Sequence, residues 1–153
     1  MAVKIDNSTV NNAASSNIRS SQTSSSVSGV DAGNSFQAVM RTTRLENFNG
    51  SMQELIEIVR QRGEDFLHSP QENSLNSYRE SVKYFLNKIK EEFLSLKEEF
   101  GASRDGEQRV YQLVEKADGQ ADTLTQEAFT KDRALDLLSS LDDIRGMVLD
   151  VIG

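Results

Sequence analysis

The sequence contains no cysteine and only one histidine, and no apolar stretch approaches the length of a membrane span. Without cysteine, disulfides and thiolate metal sites are excluded outright. His68 is the only imidazole, so a nucleophile triad that needs histidine has a single residue to draw on. Asp65 and His68 form one carboxylate-x-x-His pair, whereas a di-iron bundle uses two, and a second histidine does not exist. The simpler reading of His68 is an exposed side chain near a helix C-terminal dipole. There is no Gly-rich phosphate loop. Basic residues are also in short supply, 17 against 24 acidic ones, and the net charge of −7 argues against an extended nucleic-acid surface and against adhesion to anionic membranes. Met1 to Val10 has no signal-peptide core, so the expectation is a soluble, cytoplasmic chain not exported by the general route. No cofactor is expected.

What is present divides by composition. Residues 1–34 hold nine Ser, two Thr and five Asn, and their isolated Val3, Ile5, Val10 and Ile18 cannot offset the entropy of ordering the segment. We expect a disordered tail over 1–34. It reads either as a plain solvated leader or as an address segment of the Ser- and Asn-rich kind found on substrates of specialised secretion systems. Phe36, Val39, Met40 and Leu45 then suggest a short helix and linker over 35–50 that packs on the end of a bundle domain at 51–153.

The bundle is organised around residues 74–100. On an ideal wheel Tyr78, Val82, Phe85, Leu86, Ile89, Phe93, Leu96 and Phe100 share an arc about 100° wide, the face of a helix that packs on others. Val82 and Phe93, Phe85 and Leu96, and Ile89 and Phe100 are each eleven residues apart, which keeps the stripe nearly straight and favours a bundle helix over a coiled-coil rod. Gly101 is the expected stop. Before it, Ser51 and Glu54 form a capping-box pattern that starts a helix with Met52, Leu55, Ile56, Val59, Phe66 and Leu67 on one face, ending at Ser69-Pro70. After it, Val110, Val114, Ala117, Ala121, Leu124 and Ala128 repeat in heptads, and Leu137, Leu138, Leu141, Ile144, Val148, Val151 and Ile152 make a last face. That face is rotated by roughly 130° from its predecessor if the helix runs straight through, so a break near Thr130 is expected. The four helices, at 51–68, 74–100, 107–129 and 131–151, have short connections that favour antiparallel neighbours. The predicted fold is an all-α, up-down-up-down four-helix bundle. Gly63, Ala117, Ala121 and Gly146 are expected where backbones pack closely, with Gly63 facing the alanines.

Candidate sites are few. Glu54-x-x-Glu57 and Glu115-x-x-Asp118 look like the magnesium-holding carboxylates of all-helical nucleotide pyrophosphatases, but the pairs are far apart and the second motif those enzymes place soon after the first is missing. Arg145 projects into the middle of the last apolar arc. It is either paired with a carboxylate of a neighbouring helix or an anchor for an anion or a peptide carboxylate. Tyr84 and Leu94 fall off the core face of the central helix, as Tyr111 and Phe129 do less severely on the next, and together they would make a partner surface.

The run Tyr78-x-x-x-Val82-x-x-Phe85-Leu86, the step Val114-Glu115-x-x-Asp118 followed by Leu124, the pair Leu137-Leu138 and the step Ile144-Arg145-Gly146-Met147-Val148 resemble the bacterial YaaR-like family. The resemblance covers Met52 to Ile152. It implies a small cytosolic helical protein of no established activity, with no catalytic residues to carry over. The expectation is a non-enzymatic bundle that binds a protein partner or another copy of itself. The alternatives are a magnesium-dependent nucleotide-handling enzyme and a substrate or chaperone of a specialised secretion system.

Overall fold

An amphipathic stripe this long can be buried only by helices of comparable length, and the computed structural model, which describes residues 28–152, is built that way. Among the described residues there are four α-helices and no strand: α1 (Ser28–His68), α2 (Glu72–Phe100), α3 (Arg104–Asp122) and α4 (Lys131–Val151). The chain falls into two units with the boundary between Thr43 and Arg44, and the packing below belongs to the second. No helix among the described residues is long and apolar enough to cross a membrane.

Where a helix end is written in local chemistry, it lies close to its predicted place. The Ser74 hydroxyl accepts from the Gln71 backbone N–H at 3.1 Å to start α2, and Gly101, at φ 83°, ends it. Ser103 Oγ accepts from the Gly106 N–H at 3.1 Å at the start of α3. Thr130 Oγ1 accepts from the Arg133 N–H at 3.2 Å at the start of α4, the expected break. The α2 stripe is buried from Leu75 through Leu96, with Phe100 partly covered. Met52, Val59, Phe66, Val110, Val114, Ala117, Ala121, Leu137, Leu141, Ile144 and Val148 close the core around it.

Three expectations do not hold. Ser51 and Glu54 lie inside α1 and start nothing, because buried Phe48 and Met52 continue one face across the supposed boundary. Residues 35–50 are therefore helix, not helix and linker. Phe36, Val39 and Met40 are exposed, and of the expected disordered tail, residues 28–34 are helical while 1–27 lie outside the described residues. Third, α3 stops at Asp122, not at 129. Arg79 of α2 donates from Nε to the Ala121 carbonyl at 3.0 Å and from Nη2 to the Leu124 carbonyl at 2.5 Å, so a side chain from another helix satisfies carbonyls at the helix end. Leu124 and Phe129 remain buried, but they reach the core from the connecting loop.

Contacts between neighbouring helices run in opposite senses. On α1, Gly63 lies by Tyr78, while Arg44 binds Glu92 at 3.1 Å and Glu99 at 3.4 Å. Between α2 and α3, Lys83 meets Asp118 at 2.8 Å and Asp122 at 2.7 Å, whereas Lys97 meets Glu107. Asn49 of α1 accepts from Arg145 of α4, and Gly63 shares a cleft with Lys131 and Leu135. In each pair numbering falls along one helix as it rises along the other.

The C-terminal end of α4 ties back to the α2–α3 turn: Ala102 and Ile152 form an isolated antiparallel bridge, and Val151 presses on Gly106. A Cβ at Gly106 would stand 2.4 Å from Val151 Cγ1 and 2.7 Å from Val151 Cβ. Gly106→Ala is expected to destabilise by about 1–3 kcal/mol, read as a lower midpoint in urea unfolding. Arg79→Met is expected to cost about 1–2 kcal/mol and to speed amide exchange at the end of α3, since it removes a charged donor from each of two carbonyls.

Candidate functional site

The residues that sequence reasoning placed on a partner surface separate into two kinds. Tyr84 and Leu94 are exposed on α2. They do not converge, because ten residues of helix put them about 15 Å apart along the axis. Tyr84 stands among Asn76, Arg79, Glu80, Lys83 and Asn87 at a shallow polar depression. Two of these neighbours are already engaged, Arg79 with the end of α3 and Lys83 with Asp118 and Asp122.

Tyr111 and Phe129 are structural. Tyr111 is half-buried edge-on to Phe93 at 5.6 Å between centroids, with Lys97 Nζ donating to its hydroxyl at 3.4 Å. Phe129 is buried between Tyr78, edge-on at 4.6 Å, and Phe66, tilted at 4.8 Å. The helical wheel put Phe129 off the core face because it assumed that α3 continues to that residue. Only the break at Asp122 reveals the change of direction that carries it inward.

Arg145 fits neither of its sequence readings as stated. Its side chain is 17 % exposed and grips Asp142 of its own helix, from Nε at 3.1 Å and Nη2 at 2.9 Å, while Nη1 donates to Asn49 of α1. The pair partner is not a carboxylate of a neighbouring helix; the bond that crosses to one is the amide of Asn49. With all three nitrogens engaged, the guanidinium is a clip between α4 and α1.

The small residues also divide. Ala117 and Ala121 are buried on α3. Gly63 does not face them: a Cβ there would meet Tyr78 Cε1 at 3.3 Å, Tyr78 Cδ1 at 3.6 Å and Phe129 Cζ at 3.8 Å, all of them ring atoms. At Gly146 an added Cβ meets nothing within 4 Å, so it is not a site of close approach.

One member of each acidic pair is drawn into an ion pair. Glu57 binds Arg60, whose hydrogen bonds hold its carboxyl below the usual range, and Asp118 binds Lys83. The Lys83 ammonium is pushed up by hydrogen bonds to Asp118 and then Asp122, and that of Lys97 by its bond to Glu107. His68 is exposed, its Nδ1 2.9 Å from the Glu64 carbonyl oxygen. Among the described residues no group of three or more His, Cys, Asp or Glu side chains is placed to hold a metal ion.

Two apolar features remain, and sequence reasoning missed both as surfaces. Phe36, Val39 and Met40 are 65, 62 and 55 % exposed on α1 at i, i+3 and i+4, so they share one helical face. The spacing was visible, but it reads the same for a buried face as for an exposed one. In the second unit, exposed Leu67 and Leu135 flank a cleft between α1 and α4, floored by Gly63, Tyr78 and Ala134.

The family model described as a protein of unknown function, DUF327, matches residues 5–152. No curated protein and no solved structure matches the chain.

Tyr78 gives the sharpest local test. Its hydroxyl is buried with no hydrogen-bond partner, and burial pushes its pKa up. Such a group costs about 1–3 kcal/mol of desolvation with nothing in return. Tyr78→Phe is therefore expected to unfold at the same or higher urea concentration than the parent chain.

Proposed function

We propose, for a chain that belongs to the DUF327 family of proteins of unknown function, a non-enzymatic role: docking a protein partner through an apolar helix face. The observation that carries this reading is the row Phe36, Val39 and Met40 on α1. Three large apolar side chains on one helical face gain by leaving water together, at about 25 cal/mol per Å² of apolar surface removed. Their i, i+3, i+4 spacing is the pattern by which one helix is read by the groove or helix of another protein. The engagement of Glu57, Asp118 and Arg145 in ion pairs supports a non-catalytic reading, because one carboxylate of each acidic pair, and the arginine, already has a structural partner. We also read the chain as YaaR-like, on its Ile144-Arg145-Gly146-Met147-Val148 step, and as a cytoplasmic protein.

The test is capture from the native cell with the full chain and with a Phe36→Asp, Met40→Asp double variant, together with light scattering on each. Exposed substitutions of this kind change stability by only about 0.5 kcal/mol, so both chains fold. A partner, or a second copy of the chain, that is held by the parent and released by the variant supports docking at this face. Equal recovery by both chains, or recovery of nothing above background with a monomeric parent, would overturn it.

A further inference from the structure

Residues 28–43 form the N-terminal part of α1, and neither burial nor propensity accounts for a helix there. Phe36, Val39 and Met40 are exposed, and Gly29 and Gly33 are poor helix formers. Continuation from residues 44–68 supplies the nucleus, but each further turn must still be stable in its own right. A helix of this composition needs a cover for its apolar side.

The shape of that side says what the cover is. Gly29, Ala32, Phe36, Val39 and Thr43 follow one another at 3-4-3-4 spacing, a heptad seam, with Gly33 and Met40 beside it. The seam is small in its first half and large in its second, and no charged residue lies on it. Asp31 and Arg41 fall at helical positions on the opposite side. Turned end for end, such a seam fits itself. With a two-fold axis near Asn34, Phe36 of each copy comes opposite Ala32 of the other and Val39 opposite Gly29, so large residues fill the space above small ones. A parallel pair would set Phe36 against Phe36 and glycine against glycine, leaving voids.

Charge favours the same arrangement. Residues 1–43 carry three basic and two acidic residues, so the whole net charge of −7, and one unit more, falls on residues 44–153. Two copies therefore meet with least repulsion at residues 28–43. The chain continues from opposite ends of an antiparallel pair, which keeps the two acidic segments apart. We infer that residues 28–43 of α1 form an antiparallel helix pair with the same residues of a second copy of the chain. This rests on the docking reading of the Phe36, Val39 and Met40 row and names its occupant.

Sedimentation equilibrium of the full chain, over a concentration series reaching millimolar, is expected to show reversible dimerisation that Phe36→Asp abolishes. Gly33→Leu is the decisive variant. Within one chain a Cβ at Gly33 meets nothing within 4 Å, and leucine favours the helix, so the fold is kept. In the pair the leucine crowds the opposing Phe36, and dimerisation is expected to weaken about tenfold or more. Orientation is read from spin labels on Ser35→Cys and Thr42→Cys variants, which are specific because the chain has no cysteine of its own. In the antiparallel pair the two Ser35→Cys labels are about 3 Å apart along the axis and the two Thr42→Cys labels about 24 Å. Equal separations at the two positions would mean a parallel pair and overturn the assignment, as would a dimer indifferent to Gly33→Leu or to Phe36→Asp. A monomeric parent overturns it too, and the capture experiment then decides the docking reading separately. A partner released by the Phe36→Asp, Met40→Asp variant keeps that reading, whereas capture of nothing removes both.

Discussion

The stack of Phe66, Phe129 and Tyr78 is the contact on which the second unit most depends. Its rings come from α1, from the loop before α4 and from α2, and they meet at 4.8 and 4.6 Å. Each buried aromatic ring contributes about 1.5–3 kcal/mol through area alone, and the edge-on pair adds to that. The geometric effect is larger than the energetic one. Phe129 can reach Phe66 and Tyr78 only if the chain leaves α3 early, and Thr130 then caps α4 immediately after the ring is seated. One ring thus sets where α3 must end and where α4 must begin, and it brings Gly63, Tyr78 and Ala134 to the same cleft.

Cations hold what the rings do not reach. Arg79 closes the end of α3, Lys83 and Lys97 hold α2 to α3 near opposite ends, Arg44 holds α1 to α2, and Arg145 clips α4 to α1. Each is part-exposed, so its strength is modest, and registry is the better description of what these bonds contribute. Among the described residues, carboxylates placed between helices, Glu92, Glu99, Glu107, Asp118 and Asp122, are bound to a lysine or arginine.

Much of the fold was legible because it is governed by local periodicity. The α2 stripe, Gly101, Ser69-Pro70 and Thr130 are features whose meaning does not depend on distant residues. The errors share one cause. The capping-box pattern at Ser51 and Glu54 is a valid start signal, but Phe48 and Met52 bury the same face on both sides of it and the helix runs on. No glycine or proline follows α3 to mark its end; the carbonyls there are bound by Arg79, more than forty residues earlier on another helix. Phe129 was placed outside for the same reason, whereas Tyr111 lies off the α3 core face and is covered by Phe93 and Lys97 of α2. Arg145 was rightly singled out, since a guanidinium in an apolar arc needs partners; that one of them is Asn49 follows from packing alone. The exposure of Phe36, Val39 and Met40 was illegible in principle, because a helical apolar face looks the same in sequence with or without its cover.

Sequences that specify one fold tend to agree with themselves at every level, and local violations collect where something other than stability is being served. This chain has one such violation in its core: Tyr78 buries a hydroxyl without a partner. Gly63 beside it is consistent with the packing. A Cβ there would stand 3.3 Å from Tyr78 Cε1, so the absence of a side chain is what lets the ring lie against α1. The ring that α1 makes room for is also the one that Phe129 meets edge-on, so the glycine and the loop aromatic are two parts of one packing solution.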